Sequence, residues 1–186
     1  MLSDEQRHAV HCVKYGTKGK FLVLNGGAGT GKSHAVNTLR REVPNVLLAC
    51  PTGKAASLIG ASTTNRAFGI PVGTLDPSLP VQTLRWRDRS TRYFKGAEVL
   101  RCCSWIILDE YSMIRCDTFD FINNAMQQAR RSTTGGDLPF GGAGVLLVGD
   151  SGQLPPVVTD SDFSRLKKFG YEEPFGVRES WTWLEL

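Results

Sequence analysis

Short apolar runs alternate along this chain with longer segments of mixed polarity. Phe21–Asn25, Val46–Cys50, Trp105–Leu108 and Gly144–Val148 are of strand length, and glycine, proline or a polar turn closes each one. That pattern predicts buried strands. Between them, residues 3–15, 31–43 and 116–131 read as helices, and residues 53–60 as a short one. Ser3 and Gln6 have the S-x-x-Q form of a capping box, and Pro44 stops the second helix. Residues 70–80 and Thr133–Gly144 read as loops. Strands alternating with helices predict a parallel α/β sheet with right-handed crossovers. Ligands then bind beyond the carboxyl ends of the strands, so chemistry is sought just after each run.

Three such segments carry it. Gly26-Gly27-Ala28-Gly29-Thr30-Gly31-Lys32-Ser33 fits G-x-x-x-x-G-K-[ST] between a strand and a helix. Its glycines let backbone N–H groups turn toward phosphate oxygens, and the helix adds its positive end. Lys32 would reach the β- and γ-phosphates, and the Ser33 hydroxyl would ligate Mg2+. The run Trp105–Leu108 ends in Asp109-Glu110. Asp109 would hold Mg2+, and Glu110 would orient and deprotonate an attacking water. Successive residues at a strand end point to different sides, so one carboxylate can face the metal and the other the γ-phosphate. Gly149–Val157 follows the fourth run. Its Gln153 can bond a γ-phosphate or the attacking water, or be an ordinary loop glutamine; spacing alone does not separate the two.

Composition narrows the class. Over 186 residues, 41% apolar is enough for a core, and no run reaches the ~20 residues that span a bilayer. The polar start does not fit a signal peptide. Five cysteines, an odd number with no C-x-x-C, suggest reduced thiols in a cytoplasmic or nuclear protein. The net charge of +4 is carried entirely by residues 85–95, where Trp86, Tyr93 and Phe94 interleave with four Arg and one Lys. Charge for phosphates and rings for bases suit single-stranded DNA. A solvated surface loop has the same composition.

Together, Gly26–Ser33, Asp109-Glu110-Tyr111-Ser112-Met113 and Gly149–Val157 resemble superfamily 1B DNA helicases. Leu138-Pro139-Phe140-Gly141-Gly142 and Phe68-Gly69-Ile70-Pro71 make the Pif-one family the best match within them. The resemblance covers Leu2 to about Trp181. It implies a P-loop NTPase of RecA-like fold, a parallel sheet flanked by helices, with a small wedge-like insertion near residues 71–100. It implies ATP and Mg2+ as cofactors and single-stranded DNA as partner, with 5′-to-3′ movement along it. Gln6, in a segment similar to the family's beyond this one residue, then resembles the family's adenine contact; the alternative is that it serves only the capping box. Gln153 becomes the γ-phosphate sensor. Thr52, Thr64, Asn65, Arg66 and Phe68 fall in segments that hold DNA. Asn65 stands where the family usually has His, and Arg66 where it usually has Ser. Asn65 keeps a hydrogen-bonding edge but cannot stack as imidazole does, while Arg66 offers a phosphate contact. Arg85, Trp86, Arg87 and Arg89 occupy the place of the wedge.

The same resemblance makes residues 1–186 the first of two RecA-like motor domains, with no membrane segment. The second domain would supply the arginines that stabilise transition-state charge, an effect worth ~10³–10⁵ in rate. The isolated chain is therefore expected to bind nucleotide and hydrolyse it poorly. The competing expectations are a nucleotide-dependent single-stranded DNA-binding module without motor activity, and an NTPase of another kind such as a nucleotide kinase.

Overall fold

Each central strand is covered on both faces, which is why it reads as an uninterrupted apolar run rather than an alternating one. The computed structural model describes residues 2–16, 21–70, 75, 95–153, 155–173 and 182–186. In chain order these form α1 (Asp4–Tyr15), β1 (Phe21–Asn25), α2 (Lys32–Glu42), β2 (Val46–Cys50), α3 (Gly53–Leu58), β3 (Ser62–Thr63) and α4 (Thr64–Phe68). There follow α5 (Lys95–Cys102), β4 (Trp105–Asp109), α6 (Cys116–Ala129), β5 (Gly144–Gly149), α7 (Asp160–Lys168) and β6 (Thr182–Glu185). The strands pair in parallel in the order β3-β2-β4-β5-β1-β6.

Side chains alternate across this sheet and build two cores. Leu22, Leu24, Leu48, Ile107, Leu146 and Val148 face α1 and α2, where Ala9, Val13, Ala35, Val36 and Leu39 meet them. Val23, Ala49, Ile106, Leu108, Val145 and Leu147 face the other way, onto Phe68, Leu100, Ile122 and Met126 of α4, α5 and α6. The predicted α/β sheet is therefore the one observed. The four predicted strands appear with their bounds extended by at most one residue, through Asp109 and Gly149.

The Thr133–Gly144 loop turns tightly at Pro139–Gly142, where Phe140 and Gly141 adopt left-handed backbone, φ 51° and 60°. Phe140 there is buried against Phe21 and Phe119. Asn123 accepts its N–H at 2.7 Å, and Gln127 donates to the carbonyls of Asp137 and Leu138. The Pro-Phe-Gly-Gly segment thus fastens the approach to β5 onto α6, where the sheet begins and the strand-end motifs do not reach. Within the expected insertion, 71–74 and 76–94 lie outside the described residues. Its last part, Lys95–Leu100, belongs to α5, which packs against α6.

Candidate functional site

The three chemical segments come together because their strands are neighbours. β5 lies between β4 and β1, with Asn25 level with Gly149 and Asp109 level with Val148. The glycine loop, the acidic pair and the Gly149–Gln153 turn therefore leave the same edge of the sheet side by side.

In the loop, Gly27, Ala28 and Gly29 are exposed, and the chain enters α2 through Gly31. Gly31 adopts φ 84°, a left-handed conformation that glycine reaches without steric cost. No side chain caps the first turn of α2, so its amides remain suited to an anion. Lys32 Nζ donates to the carbonyls of Gly26 and Gly27 at 2.6 and 2.8 Å, and Thr30 Oγ1 to Gly27 at 3.0 Å. Ser33 is exposed on the first turn.

Gln6 closes the capping box expected of it. Its Oε1 accepts from Ser3 N–H at 3.0 Å, and the Ser3 hydroxyl accepts from Gln6 N–H at 3.2 Å, which completes the capping box. Its Nε2 also donates to the Thr30 carbonyl at 2.9 Å, so α1 is tied directly to the phosphate loop.

Asp109 is 8% exposed at the end of β4. Burial is the main reason its carboxyl titrates above the usual range, and the neighbouring Glu110 charge adds to this. The Glu110 N–H, at 3.0 Å from Asp109 Oδ1, and the Lys32 ammonium oppose the shift. Glu110 does not continue the strand's alternation. Glu110 lies beyond the strand in a left-handed conformation, φ 56° and ψ 44°, and begins the 3-10 turn Tyr111–Met113. A non-glycine residue held there carries strain of order 1–2 kcal/mol, a common feature of functional sites. Cys50 ends β2 nearby; burial, then the Asp109 and Glu110 charges, push its thiol up to about 12. Gln153 is exposed on the turn after β5 and donates from Nε2 to Asp150 at 3.4 Å.

The segments expected to meet DNA divide. Thr52 caps α3, its hydroxyl accepting from Ala55 N–H at 3.3 Å. Arg66 is exposed on α4. Asn65 Nδ2 donates to the Ile70 carbonyl at 3.1 Å, so this amide shapes the end of α4. Phe68 is fully buried in the core and Thr64 is 2% exposed, and both lie on α4, which packs against β2 and β3. Arg85, Trp86, Arg87 and Arg89 lie outside the described residues.

Ser33 and Asp109 offer a hydroxyl and a carboxylate, which suits Mg2+. That ion is commonly held by one or two protein oxygens together with phosphates, rather than by a cage of side chains. No cluster of three or more His, Cys, Asp or Glu able to hold a metal occurs among the described residues. Among them, too, no helix is long and apolar enough to cross a membrane. The sequence showed Asn25 only as the last residue of a strand. In the structure its side chain reaches Tyr111, Ser151 and Glu185. A polar residue closing an apolar run directly before the glycine loop was the available signal.

Comparison with known proteins agrees with this geometry. The chain is 34% identical over 164 residues to an ATP-dependent DNA helicase PIF5 of Trypanosoma brucei brucei, covering 84% of this chain and 16% of that protein. It is 30% identical over 162 residues to the human ATP-dependent DNA helicase PIF1, covering 86% and 23%. A Bacteroides Pif1 structure in complex with ADP-AlF4 superposes with a TM-score of 0.79 at 30% identity, over 94% of this chain and 38% of that one. A second Bacteroides Pif1 structure, with ADP-AlF3 and single-stranded DNA, gives 0.77 at 30% identity, over 94% and 38%. The chain thus spans well under half the length of these relatives. The PIF1-like helicase family model matches residues 1–184, nearly the whole sequence, and the chain belongs to that family.

Proposed function

We propose that this chain is the ATP-binding and ATP-hydrolysing motor domain of a 5′-to-3′ DNA helicase that moves on single-stranded DNA. The observation that carries the reading is the convergence of Gly26–Ser33, Asp109-Glu110 and Gln153 at one edge of a parallel sheet. The ADP-AlF4 and single-stranded DNA in the Bacteroides Pif1 structures support it. Loop amides from Gly27 to Ser33 and the N-terminal end of α2 cradle the phosphates. Lys32 exchanges its contacts with the Gly26 and Gly27 carbonyls for phosphate oxygens. Gln6, already bonded to the loop at Thr30, presents its remaining N–H toward the base. Mg2+ bound by Ser33 and Asp109 would neutralise phosphate charge. Glu110 orients the attacking water and accepts its proton, and Gln153 senses the γ-phosphate. A second RecA-like domain in the full-length protein completes the cleft with arginines. Thr52, Asn65 and Arg66 contact the DNA backbone, and the basic stretch 85–95 binds or parts the strand. The protein acts inside the cell on DNA.

Paired titrations test the reading. A fluorescent ATP analogue in Mg2+ should bind the chain and be lost with Lys32→Ala. A labelled single strand should bind more weakly, and with a flatter salt dependence, when Arg85, Arg87 and Arg89 are reversed in charge. Nucleotide affinity indifferent to Lys32→Ala would refute the site. Strand affinity indifferent to the charge reversals would return residues 85–95 to an ordinary solvated loop.

A further inference from the structure

Asn25 closes β1 immediately before the phosphate loop, and its side chain joins three other strand ends. Oδ1 accepts from the Ser151 N–H at 2.9 Å and from the Tyr111 hydroxyl at 3.3 Å. Nδ2 donates to the Glu185 carboxylate at 2.9 Å. The orientation of the amide follows from its partners, because a backbone N–H only donates and an ionised carboxylate only accepts. The backbone repeats the pattern. The Asn25 carbonyl accepts from Leu186 N–H at 2.9 Å, and Gly26 N–H donates to the Gly149 carbonyl at 3.1 Å.

Two of these partners lie close in sequence to residues of the nucleotide site. Tyr111 directly follows Glu110, and Ser151 lies two residues before Gln153. Tyr111 is 1% exposed, and its ring lies across Gly149, where a Cβ would come within 2.8 Å of it. The packed ring brings the hydroxyl to Asn25. Glu185 sits on β6, on the far side of β1 from β5. One amide therefore spans the ends of β4, β5 and β6 from the end of β1.

We propose that Asn25 is a positioning residue that fixes Glu110 and Gln153, through Tyr111 and Ser151, at the distance from the phosphate loop that a γ-phosphate requires. The inference rests on the nucleotide reading above. Neither aspartate, which cannot donate to Glu185, nor alanine, which offers nothing, can replace this amide alone. Because it acts on the γ-phosphate side, its loss should separate triphosphate from diphosphate binding. A purely structural role would lower both together.

The experiment titrates the chain with fluorescent ADP and with a fluorescent non-hydrolysable ATP analogue, both in Mg2+, and records the melting temperature of each variant. Asn25→Ala should weaken the ATP analogue about tenfold, the equivalent of ~1.4 kcal/mol, while ADP affinity changes by less than about twofold. Asn25→Asp should lose a similar amount, since it sets two carboxylates against each other. Adding Glu185→Gln to Asn25→Asp restores donor and acceptor in exchanged positions and should recover most of the loss. Equal losses for the two nucleotides, no loss in Asn25→Ala, or no recovery in the double variant would each overturn the proposal. Failure of the unaltered chain to bind either nucleotide would instead refute the nucleotide site, and this inference with it.

Discussion

Replacing Gly31 with alanine should do two separable things. The residue sits at φ 84°, where an L side chain costs about 1–2 kcal/mol. The added Cβ would also overlap Gln6 Nε2, and Gln6 is only 9% exposed. Eviction of that side chain breaks the bonds to Ser3 N–H and the Thr30 carbonyl, each worth about 0.5–1.5 kcal/mol. Gly31→Ala should therefore cost about 2–5 kcal/mol, or roughly 4–20 °C in Tm for a chain of this size. Gln6→Ala alone should cost about 1–3 kcal/mol through the same two bonds. In the double variant those bonds can be lost only once. Gln6→Ala should then be nearly silent in the Gly31→Ala background, with a coupling of about 1–3 kcal/mol. Urea unfolding of the four proteins measures it. Additivity within about 0.5 kcal/mol would show that Gln6 and Gly31 do not share this contact, and would refute the tie between α1 and the loop.

Asp109→Asn should raise Tm at neutral pH. The folded-state carboxyl titrates above its ordinary value of 3.8, so it favours folding at low pH and opposes it once ionised. The gain from asparagine should shrink as pH falls through the raised folded value and vanish below 3.8; a gain independent of pH would contradict the burial argument. Asp117, 1% exposed, accepts from Leu75 N–H at 3.0 Å, Thr118 N–H at 2.9 Å and Arg115 Nε at 3.0 Å. Asp117→Ala should cost about 3–5 kcal/mol in thermal unfolding, and a loss below about 1 kcal/mol would count against these buried contacts. Burial pushes Cys50 up to about 12 and Cys103 and Cys116 up to about 11, whereas Cys102 is exposed. Alkylation at pH 8 followed by peptide mapping should label Cys102 well before those three, and early labelling of Cys50 would contradict its place beside the acidic pair.

The four central strands were legible because a parallel sheet covered on both faces leaves continuous apolar runs. The elements missed lack that signal. β3 has two residues and α4 five, too few for any period. α7 buries only Leu166, so its T-x-x-D capping signature stood without an apolar stripe behind it. The motifs of the site were legible because phosphate chemistry dictates residue type and local spacing. Their geometry was not. Alternation at a strand end could not foresee the left-handed turn at Glu110, which arises from the 3-10 turn after it. The burial of Phe68 was not legible either, because an aromatic beside glycine carries no mark of burial, yet α4 turns it into the core. The Asn25 contacts join strand ends far apart in sequence, and no local pattern announces such a meeting.

The central claim is that Glu110 serves hydrolysis at a nucleotide site built by this chain. The most direct measurement is ATP turnover by the chain, with and without single-stranded DNA, beside Glu110→Gln. The account expects Mg-ATP to bind both proteins with similar affinity, with slow turnover by the unaltered chain that Glu110→Gln lowers further. Turnover unaffected by Glu110→Gln would contradict it. So would strong turnover abolished by Glu110→Gln, on one count: the arginines assigned to a second domain would then have to come from within this chain or from a second copy of it.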